Sequence, residues 1–275
     1  KGVSTILFKQ VLIDWKDKLM FTNYAENSKL LYDKTDEFSF LDGLEGKRFY
    51  IRCCLADILP KKKNIFKILK IIWILLDRVF NLFLDAMLTF KAPQNENSVH
   101  VKVNEPWNTA LLEFTDSFIH KNLFQRGRIE FNWIQKYPWV LSDKKAKVES
   151  KSYYFSCFSK QFESNRYSVY SKENILIGFL LINIRAGHMK IPYAYFYEQN
   201  SKEVAAFIAT QCLKNKIKTI ISYNETLNKE IQNQLSFITK KQFTQKYFMT
   251  NDLKKHFKSS QELAIQSGDG DVIFT

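Results

Sequence analysis

Apolar residues recur every three to four positions at the start of the chain, where Val3, Ile6, Leu7, Val11 and Leu12 follow Gly2 and Ser4. That spacing predicts a helix over residues 3–15, opened by a small-residue loop. Residues 19–23 make a short apolar run, and residues 27–34 predict a short helix carrying Leu30, Leu31 and Tyr32. Residues 37–40 and 47–55 predict two strands joined around Gly43 and Gly46. The order is helix, strand, helix, hairpin.

Pro60 and the run Lys61, Lys62, Lys63 introduce the most hydrophobic stretch, residues 65–90. Within it Lys67, Lys70, Asp77, Arg78, Asn81 and Asp85 fall along one helical stripe, so an amphipathic helix packed by its apolar face on the rest of the protein is expected. Its longest uncharged interval, residues 71–76, is far too short to span a bilayer. The triple lysine beside it leaves an interfacial membrane helix as the alternative. Residues 92–98 are polar and contain a breaker, which places a linker there.

The pattern then restarts. Residues 99–103 predict a strand, and residues 107–122 and 126–137 predict helices. Three apolar and aromatic runs, 167–170, 175–185 and 189–197, are separated by turn residues, as in an antiparallel meander. A helix is expected over residues 201–214, a strand over 217–223 and a helix over 225–235. Residues 237–241 and 246–250 predict a closing hairpin.

Helix, strand, helix, hairpin therefore occurs at residues 3–55 and again at 201–250. Only the second occurrence is preceded by a strand, two helices and a meander. A duplicated architecture whose first copy lacks its N-terminal portion accounts for this asymmetry; the alternative is chance recurrence in a mixed α/β chain. The expected organisation is a partial first unit at residues 1–60, a helical connector and linker at 61–98, a second unit at 99–255 and a tail at 256–275.

Lysine and arginine number 41 against 28 acidic residues, a formal charge of +13, with 45% hydrophobic residues. Eight Gly and five Pro exclude a collagenous or low-complexity chain. Cys53, Cys54, Cys157 and Cys212 contain no C-x-x-C pair, and Cys53 and Cys54 would point to opposite faces of a strand. A reducing, cytoplasmic setting is the simplest expectation. His100, His120, His188 and His256 lack metal-ligand spacing, so no metal is expected. No signal peptide is visible, and the opening residues suggest a start inside a domain.

Gly2-Val3-Ser4-Thr5 entering an amphipathic helix, the strand at residues 20–23, and the segment from Asn27 to Lys34 with Leu31, Tyr32 and Lys34 followed by an aromatic strand resemble the C-terminal half of a GNAT-superfamily acyltransferase domain. In that family a Gln/Arg-x-x-Gly-x-Gly/Ala loop binds the acyl-CoA pyrophosphate, and an L-Y-x-K segment carries a Tyr near the thiol. The resemblance implies a mixed-sheet α/β fold with tandem GNAT-like units, the first copy partial. It also implies acetyl-CoA or another acyl-CoA as co-substrate, a small-molecule or peptide amine as acceptor, and transfer of the acyl group between them. Gly2, Val3, Ser4 and Thr5 would bind the co-substrate, and Tyr32 would be the catalytic acid. Physical chemistry agrees: small residues and unpaired N–H groups at a helix start favour an anion, and a Tyr can protonate a leaving thiolate.

The departures are specific. The Gln or Arg that opens the loop motif would precede Lys1, Ser4 replaces the usual Gly or Ala, and Asp36-Glu37 stand where a Gly belongs. The strands forming the other wall of that site are not in the chain, which leaves the activity of this stretch by itself open. Residues 167–197 match the family's meander, with Ile177-Gly178-Phe179 resembling its third strand. The loop from Tyr197 to Glu203 has no glycine and carries Glu198 and Glu203, so the second copy is expected to bind CoA poorly.

Two other function classes stay open. A Fem-type transferase using aminoacyl-tRNA also pairs two GNAT-like domains, and the surplus positive charge suits RNA. A non-enzymatic basic module could bind an anionic membrane surface or nucleic acid through residues 61–90; nucleic acid is otherwise not expected. Lys121, Arg126 and Arg128 with Trp133, Tyr137 and Trp139 read as a charged helix surface over core aromatics, or as a stacking platform. His188 reads as a turn histidine, with a base at a cleft edge as the sharper alternative. Residues 268–271 resemble a calcium loop only superficially and read as a polar turn before a short strand at 272–274.

Overall fold

The computed structural model describes residues 2–16, 18–22, 32–33, 37–90, 99–142, 158–255, 264–270 and 273–274. The chain begins with helix α1 (Val3–Asp14), strand β1 (Met20–Thr22) and strand β2 (Phe38–Tyr50). Helices α2 (Leu55–Lys62), α3 (Ile65–Ile68) and α4 (Lys70–Phe90) follow. Strand β3 (Val99–Val103), helices α5 (Thr109–Ile119) and α6 (Arg128–Lys136), and the short strands β4 (Leu141–Ser142) and β5 (Phe158–Ser159) come next. Strands β6 (Phe162–Ser171), β7 (Leu176–Arg185) and β8 (His188–Phe196) form the meander. Helix α7 (Ser201–Lys214), strand β9 (Thr219–Ser222), helix α8 (Glu225–Gln234), strand β10 (Thr239–Thr250) and helix α9 (Asn251–Lys255) complete it.

One eight-stranded mixed sheet runs through the molecule in the order β1-β10-β2-β9-β8-β7-β6-β3. Its pairs are antiparallel except β8 with β9, which are parallel because α7 carries the chain across between them. Alternate side chains along the central strands supply two cores. Leu180, Ile182 and Met189 pack under α7 and α8 with Val204, Ile208, Leu227 and Ile231. Phe179, Leu181, Tyr193 and Tyr195 pack under α5 and α6 with Leu111, Phe114 and Phe131.

Both expected hairpins prove to be single long strands, β2 and β10, lying side by side. Gly43 and Gly46 mark close approach rather than a turn. A Cβ at Gly43 would meet Thr244 at 2.3 Å, and one at Gly46 would meet the Tyr223 ring at 2.7 Å. The register is repetitive: β1 pairs Met20, Phe21 and Thr22 of the first segment with Met249, Phe248 and Tyr247 of β10. Displaced by two hundred positions, the same pairings recur where β9 sets Ile220, Ile221 and Ser222 against Phe49, Arg48 and Lys47 of β2.

The stretch at residues 65–90 departs from expectation in a different way. It is broken at Leu69 into α3 and α4, and of its polar stripe Asp77, Asn81 and Asp85 face the protein while Lys67, Lys70 and Arg78 are exposed. Asp77 accepts the N–H groups of Leu55 and Ala56 at 2.8 and 2.9 Å, which satisfies two orphan donors at the start of α2. Asn81 brackets Cys53, accepting its N–H at 2.7 Å and donating to its carbonyl at 3.0 Å. Asp85 pairs with Arg52 at 2.6 Å. Cys53 and Cys54 are thus in the loop that caps α2, not on a strand. The apolar side of α4 is exposed.

Candidate functional site

The sequence points to the start of α1. Gly2 is its N-cap, held at φ 102°, and the Ile6 N–H donates to the Gly2 carbonyl at 3.1 Å. A residue with a Cβ is strained at that φ, which is the reason for glycine there. Among the described residues, a Cβ at Gly2 would have nothing within 4 Å. Val3, Ser4 and Thr5 are exposed, and the first turn carries no acidic side chain. The N–H groups of such a turn and the helix dipole suit an anion.

Tyr32 is brought to the same helix. Its ring stacks on Phe21 at 4.9 Å between centroids and meets Phe8 of α1 at 5.4 Å and Phe38 of β2 at 5.5 Å. Phe8 lies four residues after Ser4, on one face of α1, so the aromatic cluster places Tyr32 about one helical turn along from the small-residue opening. Leu31 and Lys34, the other residues of the matched segment, lie outside the described residues.

The second place where this topology builds a crevice is the fork between β8 and β9, since ligands of open α/β sheets sit beyond the C-terminal ends of parallel strands. The two strands pair only at His188–Thr219, Met189–Ile220 and Lys190–Ile221. Beyond that point residues 264–270 take the partner's place along β8. Gly268 N–H donates to the Pro192 carbonyl at 3.0 Å, Ser267 Oγ to the Ile191 carbonyl at 3.0 Å, and the Ala194 N–H reaches Gln266 at 3.4 Å. A cavity of about 200 Å³ remains, walled by Ile191, Ser222, Tyr223 and Asn224 opposite Gln266 and Ser267.

Asp269 locks that segment in place. Fully buried, it accepts from Tyr193 Oη at 2.9 Å and from the Gln266 N–H at 2.8 Å, with Arg126 at 3.4 Å. Burial pushes its carboxyl up to about 6, and the Gln266, Tyr193 and Arg126 contacts pull it back. Gly268 is required because a Cβ there would meet the Tyr193 ring at 2.4 Å. The polar turn expected around Asp269 is present, while Ile273 and Phe274 form a turn rather than a strand, with Phe274 buried against Trp139 at 4.6 Å. Sequence inspection missed this plug. Two glycines around one aspartate were its only local trace.

At the start of α7, Glu203 stands in the first turn with Oε2 buried and without a hydrogen bond. Gly178 lets that helix approach β7, with Val204 3.0 Å from a would-be Cβ. His188 is a bracket: Nδ1 meets Thr219 Oγ1 at 2.8 Å and Nε2 lies 3.5 Å from Asp57, which also binds Lys218 at 2.6 Å. His188 and then Lys218 hold the Asp57 carboxyl well below its usual range, against desolvation. Of the supposed platform, Trp139 is tucked against Phe274, Arg126 turns in to Asp269, and Trp133 and Tyr137 stay exposed. Among the described residues no group of three His, Cys, Asp or Glu could hold a metal ion, and no helix is long and apolar enough to cross a membrane.

No family model matches this sequence, and no curated protein matches it. Among solved structures, a protein of unknown function from Enterococcus faecalis V583, described as a probable N-acyltransferase, is 11% identical with a TM-score of 0.46 over 92% of this chain and 51% of its own. A GCN5-related N-acetyltransferase from Kribbella flavida gives 11% and 0.41 over 90% and 47%, and a candidate acetyltransferase from Pyrococcus horikoshii 12% and 0.38 over 92% and 62%. The chain spans about half the length of the first two. All three likenesses are at 11 to 12% identity.

Proposed function

We propose that this chain serves acyl transfer from acyl-CoA to a small-molecule or peptide amine, and that it carries two GNAT-type units. Residues 1–60 form a partial first unit, 61–98 a connector, 99–255 a second unit and 256–275 its tail. The observation that carries the reading is the repeated register: β1 on β10 and β9 on β2 use the same pairings two hundred positions apart, each strand preceded by a helix. In this arrangement each unit lends its long strand to the other. Within these residues β6, β7 and β8 of the second unit have no described counterpart in the first.

In this reading the N–H groups of Gly2, Val3, Ser4 and Thr5 bind the pyrophosphate, for which the exposed, acid-free first turn is suited. The thioester supplies the activated acyl group. An unprotonated amine attacks it directly once the two are held together, the C–S bond breaks as the C–N bond forms, Tyr32 donates a proton to the departing thiolate, and the proton lost by the nitrogen returns through solvent to the Tyr32 oxygen. The second unit is left a supporting role. Its fork is filled by residues 264–270, and its helix start carries Glu203.

Calorimetric titration of CoA into the protein tests this. Saturable binding weakened about tenfold by Gly2→Ala is expected, because the N-cap conformation is then strained. Absence of saturable binding overturns the reading. Tyr32→Phe should lower kcat by about a hundredfold or more with thermal stability unchanged, since the ring stays stacked on Phe21.

A further inference from the structure

Helix α4 is amphipathic and docked by its polar side. Asp77 is engaged with the first turn of α2, Asn81 and Asp85 with the loop before it, and Leu88 enters the core. The opposite side presents Ile71, Leu75, Val79, Leu82 and Phe83, with Ile71 and Leu82 each 72% and Phe83 69% exposed. These positions share one side of a 3.6-residue helix, and none is charged. Ile65 and Ile68 of α3 extend the apolar exposure towards α2. A contiguous apolar strip of this kind marks a surface that is covered in use.

The charges around the strip indicate what covers it. Lys61, Lys62, Lys63, Lys67, Lys70 and Arg78 are all exposed, whereas the acids of the same stretch, Asp77 and Asp85, are half-buried and paired inward. Most of these cations gather at the N-terminal end of the strip. Lysine is depleted at protein interfaces, but a lysine beside an anionic leaflet is attracted to it. Uncharged apolar face, flanking lysines and aromatic Phe80 and Phe83 are the composition of a helix lying in a bilayer interface. The polar inner stripe, tied to the protein, keeps it from crossing.

We propose that α3 and α4 form an interfacial anchor that seats the protein on an anionic phospholipid surface, the Ile71–Leu75–Val79–Leu82–Phe83 face entering the acyl boundary and Lys61, Lys62 and Lys63 resting on the headgroups. The lysines draw the protein to the surface, and the apolar face holds it there. This inference is independent of the acyl-transfer reading.

Sedimentation of the protein with vesicles tests it, using phosphatidylcholine alone and phosphatidylcholine with about one third phosphatidylserine. Strong binding to the anionic vesicles and weak binding to the neutral ones is expected. The pair Ile71→Glu with Phe83→Glu should reduce anionic-vesicle binding about a hundredfold, and the set K61Q/K62Q/K63Q about tenfold or more. The substituted positions are exposed, and unchanged circular dichroism and melting temperature confirm folding. No binding to anionic vesicles overturns the proposal. So does binding that the two glutamates leave unchanged, since lysines attracted to any polyanion, RNA included, would behave that way. A dimer in light scattering that the two glutamates dissolve, without vesicle binding by the parent, assigns the face to a second copy and overturns it as well.

Discussion

Helices α4 and α7 meet the same core from neighbouring positions, through Leu88 and through Val204, Ile208 and Cys212 respectively, yet they bury opposite kinds of surface. Helix α7 hides an apolar face and leaves Lys202 and Lys214 exposed. Helix α4 hides a carboxylate, an amide and a second carboxylate and leaves isoleucine, leucine and phenylalanine exposed. The difference lies in what faces each helix. Beneath α7 are strand side chains. Beneath α4 are the loop residue Cys53 and the first turn of α2 at Leu55 and Ala56, whose N–H and C=O groups need partners. Arg52 joins the two systems, donating from one guanidinium to Asp85 of α4 and to the Cys212 and Ile217 carbonyls at the end of α7. Its positive charge there also complements the C-terminal end of α7.

The comparison can be broken most severely at that joint. Arg52→Ala should destabilise the protein by about 3–5 kcal/mol in urea unfolding, because it takes the guanidinium from Asp85 and the Ile217 carbonyl and leaves the Cys212 carbonyl with the Ile217 N–H alone; a loss below about 1 kcal/mol would mean the joint carries little. On the apolar side, Ile208→Ala should cost about 2–4 kcal/mol by opening a cavity under α7. Asn81→Ala, which removes both bonds to Cys53, should cost about 1–3 kcal/mol. The matching truncation on the outward face, Leu82→Ala, should stay within about 0.5 kcal/mol, and a cost like that of Ile208→Ala would show that α4 is turned the other way.

Titration adds a probe at α2, which is held to the sheet by a charged group. Asp57, on α2, titrates below its unfolded value because His188 and Lys218 favour the carboxylate. Its stabilising contribution is therefore present above the usual carboxylate pKa and fades as pH falls below about 4 towards the depressed folded value. Hydrogen-exchange protection factors at α2 should fall with acidification before those at α7 do, and Asp57→Asn should abolish the difference. The group is partly exposed, so this is the smallest of the effects.

Most of the regular elements were legible because their periodicities are local. Helix α7 was bounded at Ser201 and Lys214 by apolar spacing behind a cap at Asn200 or Ser201, and β3, β7 and β8 by apolar runs between turns. The repeated helix–strand order was legible as well. The long strands β2 and β10 were not, because Gly43 and Gly46 look like turn residues until the neighbouring strand and Tyr223 supply the steric reason for them. At the candidate site, Gly2 and Tyr32 could be named from the chain, but their joining through Phe8 and Phe21 is a tertiary fact. The segment filling the β8–β9 fork was invisible, since its partners Ile191, Pro192 and Tyr193 lie some seventy residues earlier in the chain.

By itself, the sequence determined the periods, the breakers, the surplus of positive charge and the existence of a two-sided helix over residues 65–90. Those properties follow from nearest neighbours along the backbone, and no fold is needed to state them. Tertiary structure decided which side of that helix turns inward, which strands the two segments share, and which part of the chain occupies the fork. Each of these depends on groups distant in sequence meeting in space. An amphipathic pattern fixes a face but carries no sign, and at α4 the backbone groups of Cys53, Leu55 and Ala56 supplied the sign.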